Sequence, residues 1–127
     1  MLKIEHVYQA FRSGFWLKKI PILHDITFNV PEGSITGFLG PNGSGKTSLI
    51  HLITGIRRPR AGTIHWKDKS VREAHARSKL GYLPERPYFY QHLTGQQLLR
   101  YFGRLSGLSD KQIIDRSPRI LSRVGLS

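Results

Sequence analysis

Apolar and polar residues alternate in two stretches near the start of the chain. Residues 2–8 (LKIEHVY) and 22–30 (ILHDITFNV) carry β-branched and apolar side chains at a rough period of two. That is the spacing of half-buried strands. In the second stretch Ile22, Ile26, Phe28 and Val30 fall on one face. Between them AFRSGFWLKKIP, residues 10–21, reads as a loop, and residues 31–33 as a turn. SITGFLG, residues 34–40, is a short apolar run that predicts a strand buried on both faces. The period then lengthens. Leu49, Leu52 and Ile53 predict a helix over 47–55 with Gly55 as its stop. A turn at PRAG leads to a strand at 63–66, and KLGYLP at 79–84 predicts another strand, ended by Pro84.

Beyond this the pattern is helical. Thr94 and Gln97 have the spacing of a capping box, followed by a stripe of Leu98, Leu99, Phe102 and Leu105. Ser109 and Gln112 repeat the cap, followed by Ile113, Ile114, Ile120, Leu121 and Val124. Pro118 lies inside this second helix and is expected to kink or split it. No internal repeat interrupts the series.

The stretch FLGPNGSGKTS joins the predicted strand to the first helix, and it gives up side-chain packing for backbone freedom. Gly40, Pro41, Asn42, Gly43, Ser44, Gly45, Lys46 and Thr47 fit G-x-x-x-x-G-K-S/T at every position. Glycines admit positive φ and close approach of a ligand to the backbone. Successive N–H groups then form a nest for phosphate oxygens, reinforced by the positive end of the helix dipole. Lys46 supplies a point charge for the β- and γ-phosphates, and the Thr47 hydroxyl a ligand for Mg²⁺. The bland alternative is a glycine-rich turn between strand and helix. A dinucleotide fingerprint is excluded, because Ser48 stands where its third glycine belongs.

Composition narrows the setting. With 127 residues, 39% of them hydrophobic, the chain can bury the core of one domain. It has no cysteine, so disulfides and thiolate zinc sites are excluded. No apolar run is long enough to cross a bilayer, and the N-terminus has no signal-peptide pattern. A cytosolic location is the default. Twenty basic against eight acidic residues leave a net charge of +12. This suits a polyanionic partner or, more plainly, a solvated basic surface. RRPR at 57–60 and the basic residues from Lys67 to Lys79 lack the regular aromatic interleaving of a single-strand platform.

GFLGPNGSGKTSL resembles the Walker A segment of the ATP-binding subunits of ABC transporters. The resemblance covers nearly the whole chain and implies an α/β phosphate-loop NTPase fold. The expected architecture is a partial ABC ATPase domain: a β subdomain and phosphate-loop core over 1–90, and the start of a helical subdomain over 91–127. Ser48 would lie near the α-phosphate. LKIEHVYQAF is similar to the family's opening strand, ending in the aromatic that stacks on adenine; this gives Phe11 that role, with Tyr8, Phe15 and Trp16 as competitors. TGIRRPRAGTI resembles the segment after the Walker helix, with Arg60 and Ala61 where an acidic residue is common. KLGYLPERPYFYQHLTGQQLL looks like the Q-loop region. Glu85 stands there in place of the usual glutamine, a variation familiar in ABC-2-type exporters. It would keep a Mg²⁺ role, or else be an exposed carboxylate paired with Arg86. Residues 88–93 would contact a membrane subunit, or merely pack the turn.

The resemblance implies ATP and Mg²⁺ as cofactors, and a transmembrane permease and a second ATPase subunit as partners at the inner face of the membrane. It also implies what is lacking: the Walker B carboxylates, the LSGGQ signature and the switch histidine are expected beyond residue 127. LSGL at 105–108 reads as the end of a helix, not as the signature. Part of the +12 would then reflect missing acidic motifs, which discounts nucleic acid as a partner. The expected activity is ATP binding without appreciable hydrolysis. A non-catalytic basic binding module and a functionless gene fragment stand as alternatives.

Overall fold

The computed structural model describes residues 1–13 and 18–126. The chain divides into two units, Met1–Tyr82 and Leu83–Ser127. In the first, β1 (Leu2–Ser13), β2 (Lys18–Val30), β3 (Ala61–Trp66) and β4 (Lys69–Ser70) form an antiparallel sheet in the order β2-β1-β3-β4. Helices α1 (Lys46–Ile53) and α2 (Ala74–Arg77) belong to the same unit. The core is Leu2, Ile4, Val7, Leu23, Leu49, Leu52, Ile64 and Val71. Leu49 and Leu52 thus bring α1 onto the apolar side chains of β1, β2 and β3. Ile22, Ile26, Phe28 and Val30 pack against this core, as their alternation predicts.

Two departures come from the strand pair itself. The stretch expected to be a loop over 10–21 largely continues the hairpin, with Ala10 opposite Pro21 and Phe11 opposite Ile20. β2 is an edge strand, where a missing proline N–H can be tolerated. Gly14, Phe15, Trp16 and Leu17 lie outside the described residues. Second, the register slips between Val7 and Gln9, and His6 and Asp25 take positive φ. The slip breaks strict alternation, so Leu23 is buried beside Ile22.

SITGFLG and KLGYLP do not form the expected strands. Ile35 and Leu39 are fully exposed, and Phe38 touches the core through an edge contact with Phe28. An apolar run becomes a strand only when another strand completes its backbone hydrogen bonds, and among the described residues none pairs with these two. β4 and α2 carry no clear period in the sequence. They are set by local bonds: the Ser70 N–H donates to Glu73 Oε1 at 3.2 Å, and the Glu73 N–H to the Ser70 carbonyl at 3.0 Å.

The second unit holds α3 (Gly95–Leu105) and α4 (Asp110–Arg123). Both capping boxes are formed: Thr94 Oγ1 accepts from the Gln97 N–H at 3.3 Å, and Ser109 Oγ from the Gln112 N–H at 3.3 Å. α4 continues across Pro118, so the proline does not split the helix. The ring deprives only the Ile114 carbonyl of its donor, and Ile114 lies on the exposed side, where water can serve it. Gly103 lets the helices approach closely, since a Cβ there would lie 2.8 Å from Ile113 Cγ1.

Candidate phosphate-binding site

The loop from Gly40 to Gly45 leads directly into α1. Its conformation requires glycine at two places in particular. Gly45 is the residue before the helix and sits at φ 94°, a left-handed conformation. A Cβ there would meet Leu23 Cδ2 at 2.8 Å and Ile22 Cγ2 at 3.1 Å, so the helix start is pressed onto β2. Gly43 has φ 84° and open space around it, so its need is backbone conformation alone. Between them Ser44 closes a turn through its N–H to the Pro41 carbonyl at 3.3 Å.

Lys46 is the first residue of α1. Its Nζ donates to the carbonyls of Gly40 at 2.6 Å and Pro41 at 2.8 Å. The ammonium therefore reaches back across the loop and ties its first residues to the helix. α1 has no side-chain cap and no acidic residue in its first turn. The N–H groups of that turn lack intrahelical partners, as at any helix start. A cation, free N–H donors and the positive dipole end converge without a competing carboxylate, an arrangement suited to phosphate oxygens. Thr47 is exposed beside it and Ser48 is half-buried; Pro41, Asn42, Gly43 and Ser44 are exposed.

The remaining candidates are dispersed. Phe11 lies on β1, and the guanidinium of Arg57 stacks on its ring at 4.6 Å from the centroid. The ring of Tyr8 makes an edge contact with His24. Phe15 and Trp16 lie outside the described residues. Glu85 is exposed, belongs to the second unit and makes no ion pair, with Arg86 or otherwise, among the described residues. Among those residues no cluster of three or more His, Cys, Asp or Glu could hold a metal by itself. Mg²⁺ in phosphate-loop sites is held by the loop's Ser/Thr hydroxyl, a single carboxylate and the nucleotide's own oxygens, so no such cluster is needed. The Gly45 cradle and the acid-free loop fit a triphosphate. What motif reading missed is the support: Ile22 and Leu23 behind Gly45, and the carbonyls of Gly40 and Pro41 under Lys46.

A glycine-rich loop entering a helix that packs on an antiparallel sheet is the arrangement of a phosphate-loop nucleotide-binding fold. Residues 23–127 match the ABC transporter family, and the chain belongs to it. An uncharacterized ABC transporter ATP-binding protein of Nostoc sp. is 37% identical over 120 residues, covering 94% of this chain and 36% of that protein. The human phospholipid-transporting ATPase ABCA3 is 30% identical over 127 residues, which are 7% of its length. The solved structure of an ATP-binding subunit of an ABC transporter superimposes with a TM-score of 0.77 at 29% identity, over 99% of this chain and 51% of that one. The chain thus spans about a third of the length of its Nostoc relative. Among the described residues no helix is long and apolar enough to cross a membrane.

Proposed function

We propose that the loop 40–48 binds the phosphates of ATP, and that the chain is the nucleotide-binding part of an ABC transporter ATPase subunit that powers export. The reading rests above all on Lys46, whose ammonium is held at 2.6 and 2.8 Å from two carbonyls of the same loop. On binding, the β- and γ-phosphates replace those carbonyls as its partners, while the N–H groups from Gly43 to Ser48 donate to phosphate oxygens. Thr47 would ligate Mg²⁺, which supplies charge neutralisation between the phosphates. Phe11 offers adenine the ring face opposite Arg57. By family resemblance the partners are a permease and a second ATPase subunit at the cytoplasmic face of the membrane.

Titration calorimetry with MgATP tests the assignment. Lys46→Ala should weaken binding about tenfold or more, the worth of a charge-assisted hydrogen bond at such a site. Equal affinity in the variant would sink it.

A further inference from the structure

At the opposite end of α1 lies a second cationic feature that the phosphate loop does not use. The segment leaving the helix, β3 and the β4–α2 turn enclose a cavity of about 440 Å³ within the first unit. Its lining includes Arg57, Arg58, Arg72 and Arg77, together with the hydroxyl residues Thr63 and Ser70, and contains no acidic residue. None of the four arginines takes part in an ion pair among the described residues, whereas Arg100 and Arg104 in the second unit share Asp110. The nearest carboxylate in sequence, Glu73, is turned to the Ser70 N–H.

Two of the four are already held. Arg77 Nη1 donates to the carbonyls of Val71 and Arg72, and the Arg57 guanidinium carbon lies over the Phe11 ring at 4.6 Å from its centroid. All four are exposed to solvent. Guanidinium groups fixed in this way have lost part of the entropy that would oppose anion binding. The negative end of α1 points the same way, but it is weak. Its carbonyls accept from the chain that follows: Ile50 from Thr54 at 2.9 Å, His51 from Arg57 at 3.0 Å and Leu52 from Gly55 at 3.1 Å. A residual charge of about −0.5 cannot offset four guanidiniums.

We propose that this cavity is a second anion site, distinct from the phosphate loop, which takes a multiply charged phosphate: a pyrophosphate or a phosphomonoester headgroup. α1 has eight residues, which separates the two sites by about 12 Å along its axis. The fork of each guanidinium matches phosphate oxygens in pairs, and a cavity of this volume admits a small ligand.

The test uses the full chain carrying Lys46→Ala, so that the phosphate loop is weakened independently. Pyrophosphate is titrated calorimetrically into this chain and into the same chain with Arg58→Ala and Arg72→Ala added. Both arginines are exposed, so the fold should survive, and unchanged circular dichroism verifies it. The expected result is saturable binding to Lys46→Ala that weakens about tenfold or more when the two arginines are removed. Binding that is absent from Lys46→Ala, or equal with and without the arginines, overturns the proposal. A parallel arm floats the chain with phosphatidylcholine vesicles containing a phosphomonoester lipid. Capture that depends on Arg58 and Arg72 identifies a headgroup as the source; pyrophosphate binding without capture identifies a soluble phosphate. MgATP affinity of the chain with intact Lys46 should be unaffected by the arginine pair, which separates failure here from failure of the phosphate-loop assignment.

Discussion

The two units of this chain are built by different means. In Met1–Tyr82 the buried side chains come from distant parts of the sequence: Ile4, Leu23, Leu52, Ile64 and Val71 share one core. In Leu83–Ser127 only Ile113 and Ser117 of the two helices are buried, and Phe102, Leu105, Ile114 and Ile120 remain exposed. What defines the second unit is local. Two capping boxes, worth about 1 kcal/mol each, fix the starts of α3 and α4, and Asp110 receives Arg104 at 2.7 Å and Arg100 at 3.4 Å. Burial in the first unit holds the phosphate loop in place. Local devices in the second shape helices that leave much apolar surface uncovered.

The contrast is broken most directly at Leu52, which is fully buried. Leu52→Ala should cost about 2–5 kcal/mol, from lost burial and the cavity left behind. Trp66 lies on β3 of the first unit, so its fluorescence reports the denaturant midpoint of that unit. Amide exchange in α3 and α4 should change less than in β1 and α1. Equal loss of protection in both units would mean that they unfold as one.

Gly103 sharpens the comparison, as the place where the helical unit depends on tertiary packing. Helix propensity predicts that Gly103→Ala stabilises α3 by about 1 kcal/mol. The Ile113 atoms at 2.8 and 2.9 Å from the added Cβ predict the reverse. Overpacking of this kind costs about 1–3 kcal/mol, so the net effect should be destabilising by about 1 kcal/mol, and Ile113→Ala in the same chain should relieve it. Thermal melts of α3 and α4 amides measure the sign; stabilisation by Gly103→Ala alone would show that propensity wins.

The smallest effect is electrostatic. The hydrogen bond from Arg104, with Arg100 adding to it, lowers the Asp110 carboxyl from 3.8 to about 2. Folding favours its ionised form, so the contribution is complete above the unfolded value and is lost as pH falls toward 2. Asp110→Asn should flatten the acid dependence of α3–α4 protection across that window. Glu5, held down by Lys3, and Glu32, held down by Lys67, give the first unit its own mild acid sensitivity. An unaltered acid profile in Asp110→Asn would remove the clamp from the account of the helical unit.

Legibility followed the same division. The loop motif, both caps, the helices they start and the alternation of β2 could be read directly, because each depends on neighbours within a few residues. The loop-to-helix geometry around Gly40, Gly45, Lys46 and Thr47 followed from the motif for the same reason. The failures were non-local. Residues 34–40 and 79–84 have the apolar content of strands, yet a strand exists only with a partner. The hairpin's extension past Ala10 depends on pairing across to Pro21, and Pro118 leaves α4 unbroken because its freed carbonyl faces water.

By itself, then, the sequence determined the chemistry offered to a phosphate, the two capped helices and membership of a phosphate-loop architecture. Local spacing is enough for backbone conformation and for the order of donor groups. Only the tertiary structure decided that Leu23 and Ile22 press on Gly45, that Lys46 is moored to Gly40 and Pro41, and that four arginines from 57 to 77 line one cavity. The contacts behind Gly45 and around the cavity join residues far apart along the chain, the Lys46 tie depends on how the loop folds back, and a bulge or a slipped register redirects side chains without leaving a mark in local periodicity.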